Sequence, residues 1–213
     1  MTITPFINWI VRYLVLTWVI FGVVRMSHIA EILPSSTSAN SNIVEVNGVS
    51  FETLVSNPIW SIPENGSDRE TSIRVGLRIT NNTKAPLRFS RFDNLYPNLV
   101  KKDGQVLQRE GGRDGTLPLN ESDFPLVTPG KSITFFLEGM LHWRNNNLLL
   151  EFPDGFGGLW YFGNLVAGAY KFGFLYYSYD SAIEIDQPER KKLEGIWVGQ
   201  ISIPLTDIQM LEQ

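Results

Sequence analysis

Few of the 213 residues are of types that carry out chemistry. Cysteine is absent, so disulfides, thiolate catalysis, thiolate zinc sites and lipidation on cysteine are excluded within this chain. The two histidines are His28 and His142. His28 flanks an apolar N-terminal block, which leaves one histidine for the rest of the chain, too few for a histidine-based metal site within one molecule. A nucleophilic triad would need a serine set against His142 and an acid behind it. No Gly-x-Ser-x-Gly motif occurs, and His142, next to Trp143 and Arg144 at the start of an expected loop, reads as structural or solvent-exposed. Glu184, Asp186 and Glu189 are spaced closely enough to serve a hydrolase or calcium. Arg190, Lys191 and Lys192 follow at once and neutralise them, which favours a solvated charged loop. Gly111-Gly112-Arg113-Asp114-Gly115 has neither the spacing of a phosphate loop nor the Lys-Ser/Thr that follows one, so a mobile loop is expected there. No catalytic residue, metal ligand or cofactor is assigned.

Five aromatics are the better candidates: Trp143, Phe156, Trp160, Tyr161 and Phe162. Exposed on a loop, such rings stack on sugars or anchor a protein partner. Buried, they close one end of a β-sandwich. Asn145, Asn146 and Asn147 beside them suit either a turn or a polar rim.

The elements that must position these residues follow from apolar alternation. Ile43–Val55 alternates around Asn47-Gly48, a hairpin dipeptide. From Ser72 to Asn82, Ile73, Val75, Leu77 and Ile79 face one way while Arg74, Arg78 and Thr80 face the other, the pattern of a half-buried strand. Leu87–Phe89 reads as a short strand. Leu95–Lys101 and Gln105–Arg109 flank a second turn at Asp103-Gly104. Thr128-Pro129-Gly130-Lys131 is a turn between Phe124–Val127 and the strand Ser132–Leu137. Leu148–Phe152, Ala169–Tyr179 and Gly195–Leu205 are further strands, and Ala169–Tyr179 is apolar on both faces, as a central strand would be. Asn57–Arg69 and Ile183–Leu193 are expected as loops, Phe156–Phe162 is ambiguous, and Asp207–Gln213 is the one place for a helical turn. Eight to ten short strands without a long amphipathic helix point to an antiparallel β-sandwich. No fixed-period repeat occurs, which argues against a propeller or solenoid.

Three stretches carry a family resemblance. Ile79-Thr80-Asn81-Asn82-Thr83-Lys84-Ala85-Pro86-Leu87-Arg88-Phe89 resembles the strand-turn-strand of bacterial immunoglobulin-like domains. Val127-Thr128-Pro129-Gly130-Lys131-Ser132 is similar to their Pro-Gly turn. Ala167-Gly168-Ala169-Tyr170-Lys171-Phe172 resembles their Gly-x-Tyr entry into the penultimate strand. That resemblance implies a tyrosine corner at Tyr170, its hydroxyl tied to nearby backbone. Over roughly 70–203 the order of pieces is similar to the intracellular proteinase inhibitor (BsuPI-like) family, which implies protease inhibition as one activity. The chain departs from that family in its apolar N-terminus and in insertions at 111–123 and 141–165, and no inhibitory residue carries over.

Residues 13–24, Tyr-Leu-Val-Leu-Thr-Trp-Val-Ile-Phe-Gly-Val-Val, form the most uniformly apolar block. Counted from Pro5 to Val24 the segment is long enough to span a bilayer, about 30 Å at helical rise. Arg12 shortens the clean block to about 18 Å, which suits the h-region of a signal peptide. Ala30 is the nearest small residue for cleavage, but the position two before it is His28, and this pulls the balance back toward an uncleaved anchor. The tether Pro34-Ser35-Ser36-Thr37-Ser38-Ala39-Asn40-Ser41-Asn42 cannot bury enough apolar surface to order itself. The expected organisation is a helical anchor or signal segment over 1–33, a flexible tether over 34–42, and an immunoglobulin-like β-sandwich over 43–213. Setting Arg12, Arg25 and Glu31 aside from the 18 basic and 22 acidic residues leaves the rest of the chain at about −5. Such a balance argues against nucleic acid as a partner. The membrane, through the N-terminal segment, and a protein or a glycan are the expected partners of a non-catalytic module outside the cytoplasm.

Overall fold

Apolar alternation decides most of the architecture. The computed structural model describes residues 42–66, 68–185 and 188–212. The expected anchor and all but the last residue of the tether lie outside the described residues, as does Asp186 of the carboxylate cluster. Among the described residues the regular structure is strand apart from one short 3-10 helix, Glu121–Asp123. No helix there is long and apolar enough to cross a membrane.

The strands are β1 (Ile43–Val46), β2 (Val49–Val55), β3 (Ile59–Ile62), β4 (Thr71–Asn81), β5 (Leu87–Arg88), β6 (Leu95–Lys101), β7 (Glu110–Arg113) and β8 (Leu126–Val127). They continue as β9 (Ser132–Arg144), β10 (Asn147–Pro153), β11 (Gly158–Phe162), β12 (Gly168–Ser178), β13 (Ala182–Ile185), β14 (Lys191–Glu194), β15 (Gly199–Ser202) and β16 (Thr206–Glu212). One sheet runs β1-β2-β4-β9-β10-β11-β7, antiparallel throughout. The other is built on β12. Its residues 170–176 pair with β6 along one edge, while β15 and β16 share the opposite edge, and β3 joins β16 in parallel. Two small ribbons, β5-β8 and β13-β14, complete the fold.

The two large sheets meet face to face. Phe51, Val75, Leu77, Leu141, Leu150 and Phe152 from the first share one core with Leu99, Phe172, Phe174, Tyr176 and Ile208 from the second. Rings cross the gap at 5.6 Å for Phe51 against Tyr176 and 5.7 Å for Phe152 against Phe172. A smaller core of Phe124, Ile185, Leu193 and Ile196 lies under the β13-β14 ribbon. Each large side chain fully removed from water contributes about 1.5–3 kcal/mol of transfer free energy, so the larger core carries most of the stability.

Several local expectations hold. Asn47 and Gly48 both take positive φ, 51° and 75°, as a two-residue hairpin with inverted turn geometry requires. Asn145 and Asn146, at 50° and 59°, do the same between β9 and β10, so the asparagine run is a turn. The Tyr170 hydroxyl donates to the Val166 carbonyl at 2.9 Å, the tie expected of a corner tyrosine.

Other expectations fail, each for a tertiary reason. There are sixteen strands among the described residues rather than eight to ten. The expected loop Asn57–Arg69 contains β3, whose backbone pairs with β16. The expected mobile loop Gly111–Gly115 begins inside β7 and pairs with β11. Its glycine is what allows this: a Cβ on Gly111 would sit 2.0 Å from the Leu159 carbonyl oxygen. The expected charged loop Ile183–Leu193 is largely the β13-β14 ribbon, with Ile185 and Leu193 turned inward. Asp207–Gln213 is strand β16 over the described residues, not a helical turn, because β12 and β3 supply hydrogen-bond partners on both sides. The supposed insertion 141–165 holds β10, β11 and the end of β9, all within the larger sheet.

Candidate functional site

Strand geometry disperses the five aromatics. Phe162 is 0% exposed in the main core and Phe156 is 4% exposed, its ring edge-on to Phe92 at 5.2 Å. Both rings are packed away from solvent. Trp143 is half-buried near the end of β9 and donates its indole N–H to the Pro63 carbonyl at 2.8 Å. It lines a hollow of about 440 Å³ with Leu148, Leu165 and Val166, beside the start of β12. Tyr161 lies on the outer face of the sheet, where its hydroxyl donates to the Glu110 carboxylate at 2.9 Å and that bond raises its pKa. Trp160, adjacent in sequence, points to the opposite face, because successive strand residues alternate.

Trp160 alone enters an aromatic assembly, with partners that sequence spacing did not single out. Its ring is 5.2 Å from Tyr96. Tyr96 stacks on Tyr177 at 4.9 Å with the planes 9° apart, and Tyr177 meets Tyr179 at 5.1 Å. The order Trp160, Tyr96, Tyr177, Tyr179 is thus a continuous row. The pairing of β6 with β12 builds it: Leu175 lies opposite Tyr96, which places Tyr177 on the diagonal within reach of an aromatic ring. Arg109 covers the row's inner end, its guanidinium carbon 4.7 Å from the Tyr96 ring centre and 5.2 Å from that of Trp160. A hydrogen bond from Arg109 Nη1 to the Pro97 carbonyl fixes it there. Burial raises the Tyr96 phenol well above its ordinary pKa, reinforced by a hydrogen bond with Tyr177, and burial lowers that of Arg109. The row's outer end is open: Tyr179 is 71% exposed.

Beside that open end lies a groove of about 450 Å³. Its floor is apolar, from the buried Phe124 and Ile196 and the half-buried Ile183 of the smaller core. Tyr96, Tyr177 and Tyr179 form one wall, and the exposed Asp93 and Asp180 stand at its rim. Asp93 is held by Arg113 at 3.1 Å. The Asp180 carboxylate has no hydrogen bond or ion pair among the described residues, and no lysine or arginine lines the groove.

Arg113 organises this end of the molecule. It forms a two-pronged pair with the buried Asp154, and its guanidinium lies 5.2 Å from the Phe92 ring centre. Asp154 Oδ1 also accepts the backbone N–H of Phe156 at 2.7 Å and of Gly158 at 2.8 Å. Burial alone would raise the Asp154 pKa. The backbone donors and Arg113 together outweigh it and hold the carboxyl below its ordinary value.

His142 lies on β9, not at the start of a loop. It faces the buried Glu151 across the outer surface of the larger sheet at 3.2 Å, and Arg144 reaches the same carboxylate at 3.0 Å. Neither contact is aligned as a hydrogen bond, so Arg144 is a charge neighbour of this buried carboxylate and His142 a close polar one. No serine hydroxyl bonds His142 among the described residues. Glu184 pairs with Arg190 at 2.6 Å, as a solvated charged segment does.

No family model matches the chain, and no curated protein matches it. Among solved structures, it is similar to a "putative lipoprotein" of Bacillus subtilis, YcdA, at 15% identity and a TM-score of 0.30. The match covers 73% of this chain and 39% of that one, so the chain spans about two fifths of that protein's length.

Proposed function

We propose that the chain is a non-catalytic binding module, an immunoglobulin-like β-sandwich tethered to a membrane and displayed outside the cytoplasm. The apolar block 13–24 and the Ser/Asn-rich tether support the placement. The observation that carries the binding role is the aromatic row: four rings in contact, with Arg109 over one end, present an exposed tyrosine beside a groove with an apolar floor. Leaving Tyr179, the last ring of an ordered row, open to water serves recognition better than stability, since burial would remove more apolar area from water. The groove of Tyr96, Tyr177, Tyr179, Asp93 and Asp180 is the recognition surface in this reading.

A photo-crosslinking amino acid placed at position 179 of the full chain, in intact cells, tests it. Irradiation is expected to give a discrete crosslinked species from position 179 and none from position 138, an exposed site on β9. Equal crosslinking at both positions, or none at 179, removes the groove as the recognition surface.

A further inference from the structure

We infer that the groove receives a cationic side chain, arginine or lysine, from a partner protein. The inference rests on the groove being a recognition surface and names what that surface selects. Charge complementarity carries it. Of the two aspartates at the rim, Asp93 is paired with Arg113, the Asp180 carboxylate is uncommitted among the described residues, and no basic side chain lines the hollow there. Aromatic faces add to this preference, because the negative face of a ring attracts a cation and repels an anion. The same row already shows that chemistry at its inner end, where Arg109 lies 4.7 Å from the Tyr96 ring centre. At the outer end Tyr179 presents a tyrosine ring with no cation over it among the described residues.

The floor refines the choice. Phe124, Ile183 and Ile196 make it apolar, so the occupant needs a hydrocarbon stem as well as a charged head. Arginine and lysine side chains have that construction: the methylenes lie along apolar surface while the head reaches a polar rim. An anionic ligand would meet the uncompensated Asp180 carboxylate. A neutral sugar would gain the ring contact but leave the Asp180 charge uncompensated.

The test uses the full chain in detergent micelles with ring-labelled tyrosine. A blocked tripeptide, Gly-Arg-Gly, is compared with the same peptide carrying citrulline, which keeps the shape and removes the charge. The arginine peptide is expected to shift the Tyr177 and Tyr179 ring resonances, and the citrulline peptide to shift them much less. Asp180→Asn and Tyr179→Ala should each weaken binding about two- to fivefold, the range of an exposed charge pair or cation–π contact. Asp68→Asn, which removes an exposed carboxylate elsewhere, should leave it unchanged. Both groove positions are exposed, so an unaltered melting temperature separates lost recognition from lost folding. Equal shifts with citrulline, no shift with arginine, or an unaffected Asp180→Asn variant overturns the inference. A neutral oligosaccharide shifting the same rings while the arginine peptide does not would also overturn it, yet leave the groove as a binding surface. A chain that crosslinks nowhere through position 179 would instead remove the proposed function itself.

Discussion

Asp154 shows how much one side chain can decide. It is buried, yet its two oxygens are fully engaged by Arg113 and by the N–H groups of Phe156 and Gly158. It closes the turn between β10 and β11 and ties it to β7. Asparagine there keeps an oxygen for the backbone donors but turns an amide N–H₂ toward the guanidinium, leaving a half-buried cation with only the exposed Asp93 as its anionic partner. Asp154→Asn should therefore cost about 3–5 kcal/mol at neutral pH, the range for breaking a buried ion pair by removing one partner, as read by chemical denaturation. The pH dependence has a definite sign. The folded-state pKa is depressed, so the contribution is fully present above the ordinary aspartate value of about 3.9 and is lost as pH falls through the depressed one. Wild type should lose more stability than the variant on acidification through that window. Parallel curves for the two proteins would contradict the role given to the charge. At this scale the sequence was a poor guide to the binding surface. Trp160, Tyr161 and Phe162 are consecutive, which looks like a cluster, but in a strand consecutive residues cannot share a face. Tyr177 and Tyr179 do share one, and the alternation over Ala169–Tyr179 already implied it. What alternation could not supply was Tyr96, brought to them by a strand pairing that spans about eighty residues of chain.

At the scale of elements, the legible strands are those whose order is local. The β1-β2 hairpin, β4 and β12 could be read because turn dipeptides and an apolar face are written into contiguous residues. The strands β3, β7, β14 and β16 could not, because each is short and owes its form to a partner strand. The glycines tell the same story. Gly139 is buried on β9, one residue beyond the Met140–Glu151 pair with β10, and a Cβ there would lie 2.4 Å from the Phe152 ring and 2.7 Å from the Glu151 carbonyl oxygen. In an isolated strand, glycine to alanine would stabilise by about 0.4–1 kcal/mol through the unfolded chain. Here the methyl must displace both a packed ring and backbone, and overpacking of that kind costs about 1–3 kcal/mol. Gly139→Ala should lower the denaturation midpoint with little change in slope. A gain in stability would mean that Phe152 swings aside freely and that the main core is loosely packed at this point.

Across the whole molecule the unequal size of the two cores sets an uneven stability. The main core joins both large sheets. The smaller one rests on Phe124, Ile185, Leu193 and Ile196, reinforced by Glu121, which pairs with both Arg88 and Lys191 and so links β5 to the β13-β14 ribbon. Regions with few buried apolar contacts open locally before the whole chain unfolds. That matters for binding, because Phe124 and Ile196 are at once members of the smaller core and the floor of the groove. The groove thus has one rigid wall, made of Tyr96 and Tyr177 on the paired strands β6 and β12, and a floor that belongs to the weaker unit. Truncating Leu193 should separate the two. A buried leucine cut to alanine costs about 2–5 kcal/mol, and here the loss should fall on the local opening reaction. Native-state hydrogen exchange of Leu193→Ala should quicken amides on β13 and β14, while those at the centre of β12, around Phe172, keep their protection under native conditions. If the Phe172 amide quickened in step with the ribbon, the two cores would be one cooperative unit. The groove floor would then be as rigid as its wall.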